Sequence, residues 1–181
     1  QVKALVIAPT RELAIQIGQA INAYGQYLQP RLKVCTVFGG VSINPQMLAL
    51  RGGADIVVAT PGRLLDLLQH NALKFDALQT LVLDEADKMM DMGFSDDILF
   101  VLKHLPQNRQ NLMFSATMPK KIRDFADKIL KNPEEIRLAV SKPAVGIDQQ
   151  FYLASDEQKL PLLIHLMKNT VAESVIIFTS Q

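Results

Sequence analysis

A single cysteine, Cys35, stands among 181 residues. One thiol cannot close an internal disulfide, so nothing in the chain implies an oxidising compartment. Its neighbours are apolar, and it reads as a small buried hydrophobe. No apolar run approaches the ~18 residues of a membrane span, so no membrane association is expected. The opening residues, Gln1-Val2-Lys3, show neither an initiator Met nor a signal peptide. Cytoplasmic residence is the expectation from those missing signals. The chain enters a strand-like run at once, as though sequence preceded it. An excess of one charge is missing too: 19 Lys and Arg face 18 Asp and Glu, for a net charge of +1. Domains that bind nucleic acid are often strongly basic, so any such surface here has to be local. Apolar residues make up 49% and charged residues 20%, which allows a packed core and argues against disorder.

What is there is an alternation of short β-branched runs and amphipathic stretches. Strands are expected at residues 4–8, 34–38, 56–59, 80–83, 111–114 and 135–139. Helices are expected at 11–28, near 45–50, and at 63–69, 98–105 and 120–130. Leu13, Ile17, Ala20, Ile21, Tyr24 and Leu28 carry the helical spacing of the first. Thr10 is placed to cap it, and Pro45 suits the first turn of the second. Such alternation implies an α/β fold, with a parallel sheet flanked by helices. Ligands of such sheets collect at the carboxyl ends of the strands. The polar clusters stand there: Pro9-Thr10-Arg11-Glu12, Gly39-Gly40, Thr60-Pro61-Gly62-Arg63, Asp84-Glu85-Ala86-Asp87 and Ser115-Ala116-Thr117. Residues 141–146 read as a linker. A strand at 150–154, a helix at 157–169 and a strand at 175–178 follow, too small a unit to be stable alone.

Leu81-Val82-Leu83 running into Asp84 and Glu85 has the form of a Walker B strand. Mg²⁺ takes oxygen ligands and often uses only one or two protein carboxylates. A second carboxylate beside the first can orient or deprotonate an attacking water. The alternative is a solvated acidic turn.

Taken together, the motifs resemble those of the DEAD-box RNA helicases. Asp84-Glu85-Ala86-Asp87 spells the family's name. Pro9-Thr10-Arg11-Glu12-Leu13 resembles its motif Ia, Gly39-Gly40 its glycine doublet, and Thr60-Pro61-Gly62-Arg63 its motif Ib. Ser115-Ala116-Thr117 resembles motif III, and Val175-Ile176-Ile177-Phe178-Thr179 resembles motif IV, which opens the second domain. They come in family order over nearly the whole chain. The resemblance implies a RecA-like first domain, incomplete, over residues 1–140, a linker at 141–148 and the start of a second RecA-like domain at 149–181. It implies ATP and Mg²⁺ as cofactors and RNA as partner, in a protein expected to be monomeric. Asp84 would hold Mg²⁺ through water, and Glu85 would position or activate the hydrolytic water. Asp87 would pair with Ser115 and Thr117, tying the ATP site to the domain interface. Thr10, Arg11, Gly39, Gly40, Thr60, Gly62 and Arg63 would hold the RNA backbone. Amides, hydroxyls and single guanidinium groups suit phosphates rather than base edges, so binding should be indifferent to sequence.

Plainer roles remain open for several of these residues. Thr10 and Thr60 could be helix caps, Arg63 a surface residue and Ser115 with Thr117 an ordinary turn. Gly39-Gly40 could serve turn geometry alone. His70, His104 and His165 show no metal-ligand spacing, and Met89-Met90-Asp91-Met92 reads as helix packing. A phosphate loop, GxxxxGK followed by Ser or Thr, is absent, because no glycine precedes a lysine. No histidine precedes an arginine, so the family's late arginine-rich motif is absent as well. In the family the phosphate loop lies upstream of motif Ia. The chain by itself is therefore expected not to hydrolyse ATP, and residues 111–114 are expected to form an exposed apolar edge. A DNA translocase of the same superfamily and an ATPase-dead binding module are the competing readings.

Overall fold

In a computed structural model, residues 1–138, 146–148 and 150–179 are described. The chain separates into two units, Gln1–Glu134 and Glu135–Gln181. The first holds a 5-stranded sheet, wholly parallel, in the order β2-β3-β1-β4-β5. Its strands are β1 (Ala4–Ile7), β2 (Val34–Val37), β3 (Ile56–Ala59), β4 (Thr80–Leu83) and β5 (Gln110–Met113). Between and after them run α1 (Arg11–Gly25), α2 (Asn44–Arg51), α3 (Pro61–Gln69), α4 (Ala86–Asp91), α5 (Ser95–Leu102) and α6 (Lys120–Ile129). The second unit contains α7 (Asp156–Asn169).

Strand alternation builds two cores. Leu5, Ile7, Val57, Ala59, Leu81 and Leu83 point into the larger one, with Leu64 and Leu67 of α3, Met89 and Met90 of α4, Ile98 of α5 and Phe125 of α6. Val6, Ala8 and Val58 point the other way, against Ala14 of α1. Helices on both faces explain why these strands are apolar on both sides. Met89 and Met90 are core residues, as their spacing implied, while Met92 is half exposed.

Helix boundaries follow local chemistry. Thr10 Oγ1 accepts from the Leu13 amide at 3.3 Å and starts α1. Pro61 occupies the first turn of α3, two residues before the expected start. Asp96 and Asp97 fill the first turn of α5, which begins at Ser95 and stops at Leu102, so both bounds lie three residues before those expected. α1 stops at Gly25, and its buried stripe is Ala14, Gly18 and Gly25. Ala20, Tyr24 and Leu28, read as part of that stripe, are exposed, because the helix meets the sheet along its small residues. Cys35 is half-buried rather than buried, and burial pushes its thiol up.

The strand expected at 135–139 is not formed: residues 135–138 carry none, and Ala139 lies outside the described residues, as do 141–145 of the expected linker. Residues 150–154 and 175–178 form no strand either. Strands need partners, and here Ile136, Leu138, Phe151, Leu153 and Phe178 stay exposed. α7 does form, its N-terminus closed by a capping box between Ser155 and Gln158, and none of its residues is buried. β5 is an edge of the sheet, and Leu112 on it and Phe114 directly after it are exposed, as expected for an apolar edge.

At Gly18 the backbone of α1 comes against β2, where an added Cβ would collide with Thr36 Oγ1. Gly18→Val should therefore cost about 1–3 kcal/mol through overpacking and a β-branched helix residue. Urea unfolding followed by circular dichroism checks it, and an unchanged midpoint would contradict the close approach.

Candidate functional site

Register decides what meets what. Ile7 lies level with Ala59 and Leu83, Val37 with Ala59, and Leu83 with Met113. Each strand therefore ends at the same height. The bonding continues one residue further, where Ala8 donates to Ala59, Thr60 to Val37, Asp84 to Ile7 and Phe114 to Leu83. All five polar clusters consequently stand along one edge. Strand order sorts them: Gly39-Gly40 after β2, Thr60–Arg63 after β3 and Pro9–Glu12 after β1 are neighbours. Asp84–Asp87 after β4 and Ser115–Thr117 after β5 adjoin them.

The acidic cluster is built around a strained turn. Glu85 adopts φ 49° and ψ 53°, a left-handed conformation that side chains disfavour by roughly 1–2 kcal/mol. Its amide donates to Asp84 Oδ1 at 3.0 Å. Its Oε2 takes no hydrogen bond, although Lys88 Nζ stands 3.4 Å away. Two carboxylates at the end of a strand suit a hard cation that keeps most of its water. Among the described residues no group of three potential metal ligands occurs, so a cation held here would keep much of its coordination shell as water.

Asp87 is the knot between β4 and β5. Its Oδ2 accepts from the Thr117 amide at 2.9 Å and the Thr117 hydroxyl at 2.8 Å. The Asp87 amide donates to Ser115 Oγ at 3.3 Å, and Ser115 donates to the Thr117 carbonyl at 2.7 Å. The structure thus brings Asp87, Ser115 and Thr117 together. Partial burial pushes the Asp87 carboxyl up, but hydrogen bonds from Thr117, the Lys88 amide and Ser115 hold it below its usual value.

The other three clusters form a second constellation. Arg11 lies 4.8 Å from the centre of the Phe38 ring, a cation–π contact. Thr60 does not cap α3; its Oγ1 accepts from the Gly39 amide at 3.3 Å. Gly40 needs its lack of a side chain, with φ +79°. Gly39 and Gly62 do not, because neither is left-handed and nothing lies within 4 Å of where a Cβ would sit. Turn geometry accounts for one glycine of the doublet and not for the other. Arg63 is buried at 7% exposure, not the surface residue its plainer reading suggested, and donates to the Val41 carbonyl at 2.6 Å.

Two residues of this constellation escaped the sequence reading. Phe38 precedes the glycines, and Gln46 sits in the first turn of α2. The signal for Gln46 was its place at the third helical position, where glutamine commonly reaches back to cap.

An all-parallel sheet with these features is a RecA-like α/β domain. Residues 1–125 match the DEAD/DEAH box helicase family. The chain belongs to that family. It is 44% identical over 178 residues to the DEAD-box ATP-dependent RNA helicase CshA of Streptococcus pneumoniae, covering 98% of this chain and 34% of that protein. It is 42% identical to the ATP-dependent RNA helicase DbpA of Escherichia coli, covering 98% and 39%. The chain thus spans about a third of the curated relatives it matches. Among solved structures, a DEAD box protein of Methanococcus jannaschii aligns with a TM-score of 0.71 at 35% identity, covering 93% of this chain and 45% of that one. The yeast DEAD-box splicing factor Prp28 aligns with 0.68 at 40%, covering 72% and 31%. Among the described residues, no helix is long and apolar enough to cross a membrane.

Asp87 binds its proton less tightly when folded than when unfolded. Its stabilising contribution is complete above about pH 4 and is lost as pH falls through the lowered folded value. Asp87→Asn should flatten that part of the acid-stability profile and speed exchange of the Thr117 amide at neutral pH. Hydrogen exchange and pH-dependent melting check both, and an unaltered Thr117 amide would refute the knot.

Proposed function

We propose that this chain supplies the cation-side carboxylates and much of the RNA-backbone grip of an ATP-dependent RNA helicase that unwinds short duplexes locally. The observation that carries this reading is the sorting along one sheet edge. Asp84, Glu85 and the Asp87 knot stand at the β4–β5 end, and the glycine turns with Thr10, Arg11 and Thr60 stand at the β2–β3–β1 end. Gly39 and Gly62, two glycines that the fold does not require, follow adjacent strands at the second end, Gly39 in the turn after β2 and Gly62 in the first turn of α3 after β3. Their bareness lets a sugar–phosphate backbone come close to amides, which is sequence-indifferent recognition. Thr60 Oγ1 accepts from Gly39, so its proton stays available for a phosphate oxygen. Thr10, Arg11 and Gly40 complete the RNA-holding set in this reading, and Arg63, buried against the Val41 carbonyl, serves it by supporting the turn rather than by contact.

At the other end, Asp84 would hold Mg²⁺ through water, together with ATP. Bound Mg²⁺ supplies neutralisation of the phosphate charge. Glu85 would orient the attacking water and accept its proton through its carboxylate. Asp87, Ser115 and Thr117 would couple the nucleotide site to the domain interface. Residues 1–140 belong to a first helicase domain in this reading, 141–148 to a linker and 149–181 to a second domain. The protein acts as a cytoplasmic monomer. Without a phosphate-binding loop among its residues, the chain alone does not turn over ATP.

Gly62→Ala discriminates a binding role from a structural one. It replaces a helical glycine in open space, so stability should rise by up to about 1 kcal/mol. RNA affinity should fall several-fold, read by fluorescence anisotropy with single-stranded RNA. Unchanged RNA affinity would remove Gly62 from the grip, and equal stimulation of ATPase by DNA would count against RNA as the partner. Glu85→Gln in the full-length protein should retain ATP and RNA binding while lowering turnover by ~10²-fold or more. Near-normal turnover would exclude Glu85 as the base.

A further inference from the structure

We infer that Gln46 and Arg63 are positioning residues for RNA binding: they hold the Gly39-Gly40 turn in its binding shape without touching RNA. The inference rests on the proposed reading that this turn grips an RNA backbone.

β2 is an edge strand, paired only with β3. Beyond its end, polar groups alternate between that partner and open space. Thr60 donates to Val37 on the β3 side, and the Gly39 amide returns to the same side, to Thr60 Oγ1. Phe38 between them faces outward. Gln46 meets it with both halves of its amide: Oε1 accepts from the Phe38 amide at 3.1 Å, and Nε2 donates to the Phe38 carbonyl at 3.1 Å. A side-chain amide carries the same donor and acceptor as a peptide. Gln46 therefore does for Phe38 what a neighbouring strand would do, and it ties α2 to the turn.

On the far side of Gly40, Arg63 Nη2 donates to the Val41 carbonyl. The guanidinium is almost wholly enclosed, with Asp66 Oδ2 3.6 Å from Nε. A buried guanidinium directed at a main-chain carbonyl is not placed to reach a phosphate in solvent. It fixes where the chain leaves the turn. Gln46 fixes where it enters. Between these anchors Gly40 turns through its left-handed conformation, and its amide donates to no described residue. Two side chains from separate helices thus set the aim of an amide that is left for a ligand.

The test uses Gln46→Met and Arg63→Met in the full-length protein, with oligouridylate binding measured across a salt series. Arg11→Ala serves as the direct-contact comparison. Each positioning variant should weaken binding about fivefold to tenfold, the scale of one or two lost hydrogen bonds. The slope of log affinity against log salt should match the wild type, because no phosphate charge is lost. The double variant should bind little worse than either single one, since both act on the same turn. Hydrogen exchange should quicken at Phe38 and Gly39 alone. A slope reduced by about one unit in Arg63→Met would overturn the inference, because it would mean Arg63 meets a phosphate. Wild-type affinity in a folded Gln46→Met protein would overturn it as well, while weakened binding by Arg11→Ala would leave the RNA reading standing. If Arg63→Met fails to fold, Gln46→Met carries the test by itself. A wild-type protein that binds no RNA would end both readings together.

Discussion

The bonding of β1 to β3 on one side and β4 on the other, in level parallel register, is the constraint on which the rest depends. Parallel strands have a common direction, so their carboxyl ends gather at one edge. Because the register is level, those ends also lie at one height. A slip of a single residue would turn Leu5, Ile7, Val57 and Leu81 to the opposite face, and it would stagger the polar clusters at the same time. Packing and site geometry are therefore enforced by the same hydrogen bonds.

Within that frame the site divides into a stiff part and a strained part. The Asp87–Thr117–Ser115 knot is stiff, since each group bonds to another across the gap between β4 and β5. Glu85 beside it is strained, held left-handed between Asp84 and the buried Ala86. Such strain persists only where the surroundings over-determine it. Here Ala86 is pinned by its amide, which donates to the Phe114 carbonyl, and the following methionines are buried in the core. The catalytic carboxylate of the proposed reaction thus takes its position from β5 and the core rather than from its own preference.

The chain's membership of the DEAD/DEAH box helicase family rests on residues 1–125, which include all five polar clusters. Two of those clusters are close along the edge. Ala8 and Asp84 follow neighbouring strands, so the Asp84–Asp87 cluster and the Pro9–Glu12 cluster continue one backbone ladder.

Much of this was legible in the sequence. Period and composition located all five strands to within a residue, and punctuation by Thr, Pro and Gly located the clusters after them. Those are local properties, written in a few adjacent residues. The helix faces were less legible. Tyr24 and Leu28 have the spacing of a buried stripe, yet α1 packs through Ala14, Gly18 and Gly25, because close approach to β2 favours small residues. The strands expected beyond residue 134 did not form, since a strand depends on a neighbour that local preference cannot supply. Order across the sheet, the burial of Arg63 and the reach of Gln46 to Phe38 were decided only in three dimensions. They depend on which distant segments become neighbours. The sequence by itself determined the polar clusters and their placement at strand ends; the tertiary structure alone decided which clusters become neighbours and which of their side chains are buried, because that depends on pairing between distant segments.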